Sequence, residues 1–201
     1  MRSARLQPSA AYLLAAVLTA ASLAAPLWGF SMSAPQYPDE TLHLRVVRTG
    51  IAGDVHEVET LQHYIGVHFP TSLPELRLAV RAIIGLSALL AVAAFVGGRT
   101  PGRAFRAMTV AAFLAFLLGS AVAVQVRLYH VGHDRDPHAP IRAIHDFTPP
   151  IVGPVKVGNF TVWSFPHLGA AMLLTAAALS IAGLRRNRQP GAPQHSLKAA
   201  A

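Results

Sequence analysis

The sequence predicts a membrane all-α protein with four transmembrane helices, in which two extracytoplasmic loops form a small α+β module. The chain has 201 residues, of which 53% are hydrophobic and only 13% are charged, whereas a soluble domain carries about 25% charged residues. Four apolar runs of about twenty residues each are long enough to cross a hydrocarbon core of about 30 Å. The segments between these runs are polar and differ in charge.

The distribution of charge predicts which side of the membrane each segment occupies. The predicted cytoplasmic segments contain nine of the seventeen Lys and Arg residues and none of the nine acidic residues. The outer segments, together with Arg81 at the outer end of the second span, contain the other eight bases and all nine acids, so the net charge is +9 inside and −1 outside, which sums to the total of +8. This is the positive-inside pattern. It indicates four spans with both termini in the cytoplasm, and it explains the basic character without nucleic acid.

The chain divides into five regions. The first span is the apolar run Ala11–Phe30, which is predicted to be an uncleaved signal anchor. A cleaved signal peptide is the competing interpretation, with Ser22-Leu23-Ala24 as its small-residue site. The regions are 1–30 (signal anchor and first span), 31–77 (outer segment 1), 78–126 (second and third spans with a basic cytoplasmic turn), 127–166 (outer segment 2, His-rich) and 167–201 (fourth span and cytoplasmic tail).

Outer segment 1 contains signals for one strand and one helix. Hydrophobic residues alternate over Thr41–Arg48, which predicts a strand. Asp54 followed by Glu57 is typical of a helix N-terminus and predicts a short helix over Val55–Tyr64. Residues at i, i+3 and i+7 share one helix face, so this helix groups potential ligands or, alternatively, forms a solvated face with an ion pair. The residues on that face are His56, Glu59 and His63.

Outer segment 2 contains the stretch YHVGHDRDPHAP, Tyr129–Pro140, which is the main candidate for a functional site. Three His and two Asp residues fall within it, interrupted by Gly and Pro. A Gly/Pro-rich loop can direct several such donors toward one point, and imidazole and carboxylate groups are common metal ligands. The alternative is an ordinary polar surface loop. The segment FTPPIVGPVKVGNF that follows is predicted to be rigid.

The histidines favour copper as the metal, with zinc as the less favoured alternative. They cluster as His56, His63 and His68 and as His130, His133 and His138, and the chain has no Cys. Thiolate ligands, iron–sulfur clusters and covalent haem attachment are therefore excluded. Met32 adds a thioether suited to Cu(I).

The sequence does not predict an enzyme. His56-Glu57 begins like a zinc-protease motif, but Thr60 stands where the second His is required. No Ser or Cys lies in a nucleophile elbow and no glycine pattern resembles a phosphate loop.

Both outer segments contain short motifs that resemble a known family. In outer segment 1 these are Ala34-Pro35-Gln36-Tyr37-Pro38, His63-Tyr64-Ile65-Gly66 and Pro74-Glu75-Leu76; in outer segment 2 they are Gly132-His133, Asp136-Pro137, Ala139-Pro140-Ile141, Pro149-Pro150, Gly153, Lys156, Asn159-Phe160 and Ser164 with Pro166. The chain is similar to small bacterial membrane proteins encoded among the maturation genes of nitrous-oxide reductase, beside its copper-chaperone lipoprotein. It departs from that family at Val67, where Met is usual, and at Asp134, where Asn is usual.

The resemblance implies a location in the bacterial inner membrane and a copper-handling context, and it singles out His63 and His133. We therefore expect an accessory protein that binds copper in its outer loops for delivery to, or maturation of, a copper enzyme such as nitrous-oxide reductase. Its expected partners are membrane lipid and an extracytoplasmic copper chaperone or copper enzyme. The predicted ligands are His63, His133, Asp136, Glu75, Met32, His130, His138, His56 and His68.

Two other functions are compatible with the sequence. In the first, the protein is a scaffold subunit of an exported enzyme assembly, with Pro149-Pro150 shaping a docking surface and the His residues serving as polar surface. Small residues such as Gly119-Ser120 would then support self-association or a partner subunit. In the second, less favoured, it is an electron-transfer subunit with an interfacial haem or quinone near His130 and His167. Convergence of the loop His residues on one point would distinguish metal binding from the scaffold function.

Overall fold

A computed structural model describes residues 7–34, 37–67, 73–96, 100–134, 136, 138 and 146–186, with backbone alone at 34, 37–39 and 62–65. The described chain is mostly helical with one small antiparallel sheet. Its helices are α1 (Pro8–Ala21, extended by a 3-10 turn at Ser22–Ala24), α2 (Val55–Ile65), α3 (Pro74–Phe95), α4 (Thr100–His133) and α5 (Leu168–Arg186). Its strands are β1 (Trp28–Ala34), β2 (Tyr37–Val47), β3 (Gly50–Gly53), β4 (Gly153–Val157) and β5 (Phe160–Pro166).

Helices α1, α3, α4 and α5 form a bundle, and three of them, α3, α4 and α5, are long and apolar enough to cross a membrane. Six of the thirteen buried residues of the bundle core are alanines, which allow close helix contact. Helix α1 packs against both α3 and α5. Helix α4 has no buried residue between Phe113 and Leu128 and so stands at the side of the bundle. The buried residues of the core include Tyr12, Ala15, Ala16, Ile83, Leu90, Ala93, Val110, Phe113, Leu173, Ala176 and Ala177.

A buried arginine connects α4 to the end of α3. Arg106 donates hydrogen bonds to the carbonyl oxygens of Ala93, at 2.9 Å, and Val96, at 2.8 Å. These carbonyls belong to the last turn of α3, where no further helical N–H is present to pair with them. The guanidinium also lies over the ring of Tyr12, 5.3 Å from its centroid. One side chain thus satisfies the end of α3 and contacts α1.

The five strands form a single sheet in the order β3-β2-β1-β5-β4, with every neighbouring pair antiparallel. Strand β1 lies at the centre and pairs with β2 on one side and with β5 on the other. The β1–β5 pairing extends from Trp28 opposite Pro166 to Ser33 opposite Thr161. The two polar segments, which are separated in sequence by two long helices, therefore share one sheet. We call this sheet, together with α2 and the last turns of α4, the module.

The module is joined to the bundle without intervening loops. Helix α1 leads into β1 within a few residues, and β5 leads directly into α5. Backbone hydrogen bonds join the two connections: Gly169 N–H to Pro26 C=O at 2.8 Å, and His167 N–H to Leu27 C=O at 3.2 Å. A Cβ at Gly169 would lie 2.9 Å from the carbonyl oxygens of Ser22 and Pro26. Glycine is therefore required for α5 to begin this close to the end of α1.

One predicted boundary is wrong, and part of the predicted second outer loop is helical. The first span was expected over Ala11–Phe30, but the helical region ends at Ala24 and Trp28 begins β1. The third span was expected to end at Val126 and to be followed by a loop, but α4 continues to His133, so the first part of the YHVGHDRDPHAP stretch is helical. Backbone hydrogen bonding in a helix does not depend on an apolar side chain, so a helix can extend past the last apolar residue. The predicted strand and the predicted α2 are confirmed, except that Arg48 follows β2 as part of a turn.

A candidate metal centre at the end of α4

The last turns of α4 pack against one face of the sheet, which we call the inner face. Val131 of α4 is buried against Phe160 of β5 and Val67, which follows α2. Met32 of β1, Leu61 of α2 and Phe147 complete this apolar cluster. A cavity of about 50 Å³ lies beside it. The lining of the cavity is almost entirely apolar and includes Phe30, Val58, Leu128, Pro149, Val155, Val157 and Val162.

A glycine allows a neighbouring segment to cross α4 at this point. A Cβ at Gly132 would lie only 1.8 Å from the carbonyl oxygen of Phe147. The Phe147 N–H in turn donates to the Gly132 carbonyl at 3.4 Å. About two helical turns earlier, Gln125 Nε2 donates to the carbonyl of Pro149 at 3.3 Å. The segment from Phe147 to Pro149 is therefore held along the end of α4, directly beside the histidines.

Two histidines on the last turns of α4 are each held through one ring nitrogen. His130 Nδ1 lies 2.7 Å from Asp134 Oδ2, one helical turn further along. His133 Nδ1 lies 2.9 Å from the backbone carbonyl of Tyr129, one turn earlier. A carbonyl oxygen only accepts hydrogen bonds, so His133 carries its proton on Nδ1 and, when neutral, has a lone pair on Nε2. An ionised carboxylate imposes the same tautomer on His130.

Tyr129 orients both imidazoles. Its ring stacks on the ring of His133, with centroids 3.9 Å apart and planes 17° apart. It meets the ring of His130 edge-on, with centroids 6.0 Å apart and planes at 83°. Tyr129 was not among the predicted site residues, because the stretch was interpreted as a loop. The i, i+4 spacing of Tyr129 with His133, and of His130 with Asp134, would have indicated these contacts in a helix.

His167 provides a contrast within the same chain. Its Nδ1 accepts a hydrogen bond from the backbone N–H of Leu168 at 2.9 Å. That nitrogen must be unprotonated, so a neutral His167 carries its proton on Nε2. His167 therefore satisfies a free N–H at the start of α5, which is a structural role. His130 and His133 have the opposite tautomer.

The two His-containing segments meet at the end of α2. Asp136 donates its backbone N–H to the carbonyl of Gly66 at 2.9 Å, and Gly66 immediately follows α2. His63 lies on the last turn of α2, and its side chain is outside the described residues, as is the whole of His68. Asp136 Oδ1 also accepts from the backbone N–H of His138 at 2.8 Å and lies 3.4 Å from its Nδ1. The end of α2 and the residues after α4 are thus joined directly.

The remaining predicted ligands lie apart from these histidines or have other contacts. Met32 packs in the apolar cluster on the inner face. Glu75 on α3 accepts two hydrogen bonds from Arg127, from Nε at 2.9 Å and from Nη2 at 2.7 Å. His56 is exposed at the start of α2, and its i, i+3, i+7 relation to Glu59 and His63 is preserved because one helix spans all three. Among the side chains that the structure describes, no group of three His, Asp or Glu residues is placed to hold a metal ion.

No protein-family model matches the sequence, and comparisons with curated proteins and with solved structures give no significant match.

Proposed function

We propose that the protein is a membrane accessory protein that binds copper at the end of α4 and passes it to an extracytoplasmic copper chaperone or copper enzyme. One observation carries the proposal. His130 and His133 each donate Nδ1–H to an oxygen acceptor, so the lone pair on Nε2 of each neutral imidazole is available to a metal ion. Histidines that bind metals in proteins are oriented in this way, with the second ring nitrogen bonded to a carboxylate or a backbone carbonyl.

The donors present fit copper. Imidazole is a good ligand for copper, and the chain contains no Cys that would favour a closed structural zinc site. The imidazole of His130 is exposed, with 56% of its side chain accessible. Helix α2 contributes His63 beside the same region through the Gly66–Asp136 hydrogen bond. A site built from few exposed ligands allows the metal to exchange, which delivery requires.

In the proposed placement the chain crosses the inner membrane four times, with the module outside. Helix α1 and its 3-10 turn together rise about 27 Å, close to the thickness of a hydrocarbon core. Helix α4 has 34 residues, about 51 Å, so it extends beyond the core by several turns and carries His130 and His133 clear of the lipid. The resemblance to proteins encoded with nitrous-oxide reductase maturation genes supports an assignment of this copper to that enzyme or its chaperone.

The proposal is tested by measuring copper content and affinity in the detergent-purified protein. His63→Ala/His133→Ala should lose stoichiometric copper if the two segments share the site. Asp134→Asn keeps the shape of its side chain but weakens the acceptor of His130, and should reduce affinity by about tenfold. His43→Ala, an exposed histidine on β2, is the matched control and should bind copper as the unmodified protein does. Wild-type protein without bound copper or zinc above background would refute the proposal.

A scaffold subunit is the second candidate, and the local pairing of polar groups favours it. His130 pairs with Asp134 and Glu75 with Arg127, so these side chains are satisfied without a metal. In this function the module would serve as a docking platform for an exported enzyme. Capture of a partner that is unaffected by His63→Ala/His133→Ala, together with absence of metal, would favour the scaffold.

A further inference from the structure

The end of the bundle that lies away from the module is basic and carries no acidic side chain. The helix ends that meet there are the start of α1, the end of α3, the start of α4 and the end of α5. Residues 1–10, 97–106 and 185–201 contain nine Lys and Arg residues and no Asp or Glu. We call this the basic end. No Asp or Glu side chain of the basic end can therefore neutralise a cation that is buried there.

Arg106 is such a buried cation. It is 4% exposed, and two of the five N–H groups of its guanidinium donate to the carbonyls of Ala93 and Val96. The described residues supply no further acceptor, so three N–H groups of Arg106 remain available. A buried charge without a counter-charge is costly. The partial negative charge at the end of α3 offsets only part of that cost.

Tyr12 adds a second donor at the same place. Its side chain is fully buried, and its hydroxyl group has no hydrogen-bond partner among the described residues. A Cβ at Gly183, in the last turn of α5, would lie 3.0 Å from Tyr12 Cε2 and 3.4 Å from Cδ2. Cε2 is the ring carbon nearer to the hydroxyl, and side chains of a helix lean toward its N-terminus. The Tyr12 hydroxyl therefore points toward the basic end, where α1 begins.

The donors at this place select an anion that accepts several hydrogen bonds. The hydroxyl belongs to the ring that the Arg106 guanidinium covers, so one phosphate group can reach both. Two phosphate oxygens match the parallel N–H groups of a guanidinium. The N-terminus of α1 has no side-chain cap, so its positive end adds to the attraction. A metal cation would be repelled, and a neutral water molecule would leave Arg106 without a counter-charge.

We propose that the basic end binds a phosphate group between Arg106 and Tyr12, and that a membrane phospholipid supplies it. In the proposed membrane placement this end lies at the cytoplasmic surface, where basic pockets between helices bind lipid headgroups. Arg103, exposed one turn before Arg106, and Arg185, exposed at the end of α5, would contact the rest of the headgroup. Because Arg106 and Tyr12 are buried, the phosphate would lie between the helix ends and not on their surface. It would thus hold α1, α4 and α5 together.

The phosphate site is independent of the candidate metal centre. His130 and His133 lie at the other end of α4, about 36 Å from Arg106 along the helix axis. Loss of copper binding in His63→Ala/His133→Ala would therefore leave lipid binding unchanged. Conversely, a protein that binds no metal would still bind the phosphate group.

The test uses the full chain, purified in dodecyl maltoside, a detergent that contains no phosphate. Dioleoyl phosphatidylglycerol is the probe, and dioleoylglycerol, which has the same acyl chains without phosphate, is the matched control. Phosphatidylglycerol should be retained in native mass spectrometry and should raise the melting temperature to a plateau, whereas dioleoylglycerol should do neither. Inorganic phosphate at matched ionic strength distinguishes the sources. No rise in melting temperature with inorganic phosphate supports the phospholipid, and a rise equal to that with the lipid would overturn it as the source.

Tyr12→Phe is the decisive variant, because it removes only the hydroxyl group. It should weaken phosphatidylglycerol binding about fivefold, as expected for one lost hydrogen bond. The melting temperature of the lipid-free variant should not fall, since the hydroxyl has no partner among the described residues. Arg106 also holds the end of α3, so its own variants would not separate the two roles.

A pair of arginine variants locates the headgroup. Arg103→Ala should weaken lipid binding, by less than Tyr12→Phe, because its side chain is exposed. Arg77→Ala removes the same charge from an exposed position at the other end of the bundle, on the first turn of α3, and should bind lipid normally. Unchanged lipid binding by Tyr12→Phe, retention of dioleoylglycerol, or equal weakening by Arg77→Ala and Arg103→Ala would overturn the proposal.

Discussion

Arg106 in the bundle and Ser164 in the module are each 4% exposed, yet they stabilise their regions in different ways. Arg106 bonds to carbonyls at the end of α3, only 10 and 13 residues earlier in the chain. Ser164 donates to the carbonyl of Ile151 at 2.6 Å and accepts from Trp28 Nε1 at 2.8 Å, across 136 residues. The polar contact of the bundle therefore connects consecutive helices, whereas that of the module connects opposite ends of the chain. The two regions should respond differently when these contacts are removed.

The largest effect is expected for Arg106→Ala. It removes two charge-assisted hydrogen bonds and leaves the carbonyls of Ala93 and Val96 without their donors, so the loss of stability should be about 3 kcal/mol. Arg106→Lys keeps the charge but not the planar geometry that reaches both carbonyls, and should recover only part of it. Thermal unfolding in detergent measures both variants. Equal melting temperatures for wild type and Arg106→Ala would contradict this role.

Gly132→Ala tests the contact where the two regions meet. The added methyl would lie 1.8 Å from the Phe147 carbonyl, which forces the crossing segment away from α4. Alanine favours a helix by about 1 kcal/mol relative to glycine, but overpacking costs up to about 3 kcal/mol. The free energy of unfolding should therefore fall by about 2 kcal/mol. Gly119→Ala is the matched control, since a Cβ there meets nothing within 4 Å, and it should be neutral or stabilising. Hydrogen exchange of the sheet amides would show whether the loss lies in the module.

Ser164→Ala should destabilise the module by about 1.5 kcal/mol, because it leaves the part-buried Trp28 Nε1 and Ile151 carbonyl without this partner. Its effect should appear as faster hydrogen exchange in β1 and β5, with no change in α3. Trp28→Phe/Ser164→Ala removes the donor as well and should cost less than the sum of the two single changes. Additive losses would mean that the Trp28–Ser164 hydrogen bond contributes nothing.

The smallest effect is expected for the ion pair between Glu75 and Arg127, whose side chains are 44% and 41% exposed. Partial burial acts to raise the pKa of Glu75, but hydrogen bonds from its own backbone N–H and from Arg127, together with the Arg127 charge, outweigh it and lower the pKa. The ion pair therefore contributes to the stability of the folded protein at neutral pH, and this contribution is lost as the pH falls through the lowered pKa of Glu75. A double-mutant cycle with Glu75→Gln and Arg127→Gln should give a coupling energy of about 0.5 kcal/mol at neutral pH and a smaller one in acid or high salt.

The elements that were predicted correctly have a clear local signal in the sequence. Alternation over Thr41–Arg48 predicted β2, and the Asp54–Glu57 spacing predicted α2. The Asp54 carboxylate also accepts from the backbone N–H of His43 at 2.7 Å, so it joins α2 to β2, which a local pattern cannot reveal. Strand β1 was missed because Trp28–Phe30 continues the apolar run of α1. Periodicity does not distinguish a buried strand from the end of an apolar helix.

The β4–β5 hairpin was missed although its signal is present. Val155 and Val157 alternate with Lys156, and Gly158-Asn159 forms the two-residue turn before β5, which is a typical hairpin pattern. The prolines around it favoured the interpretation of this stretch as a rigid segment without strands. The sequence indicated His130 and His133 as candidate ligands but assigned them to a loop, whereas both lie on α4. Their partners depend on helical spacing, so the tautomers of His130 and His133 could be assigned only once α4 was known to reach His133.

The order of the strands also bears on how the chain is made. Strand β1 is the first strand to be synthesised, and β5, which pairs with six of its residues, is the last. Strands β1, β2 and β3 can pair as soon as they emerge, but one edge of β1 must wait until α3 and α4 have been synthesised and Phe160–Pro166 has followed them. Contacts of such large sequence separation form late and slowly. A chain that stopped before Phe160 would thus retain three paired strands and expose the open edge of the most central one.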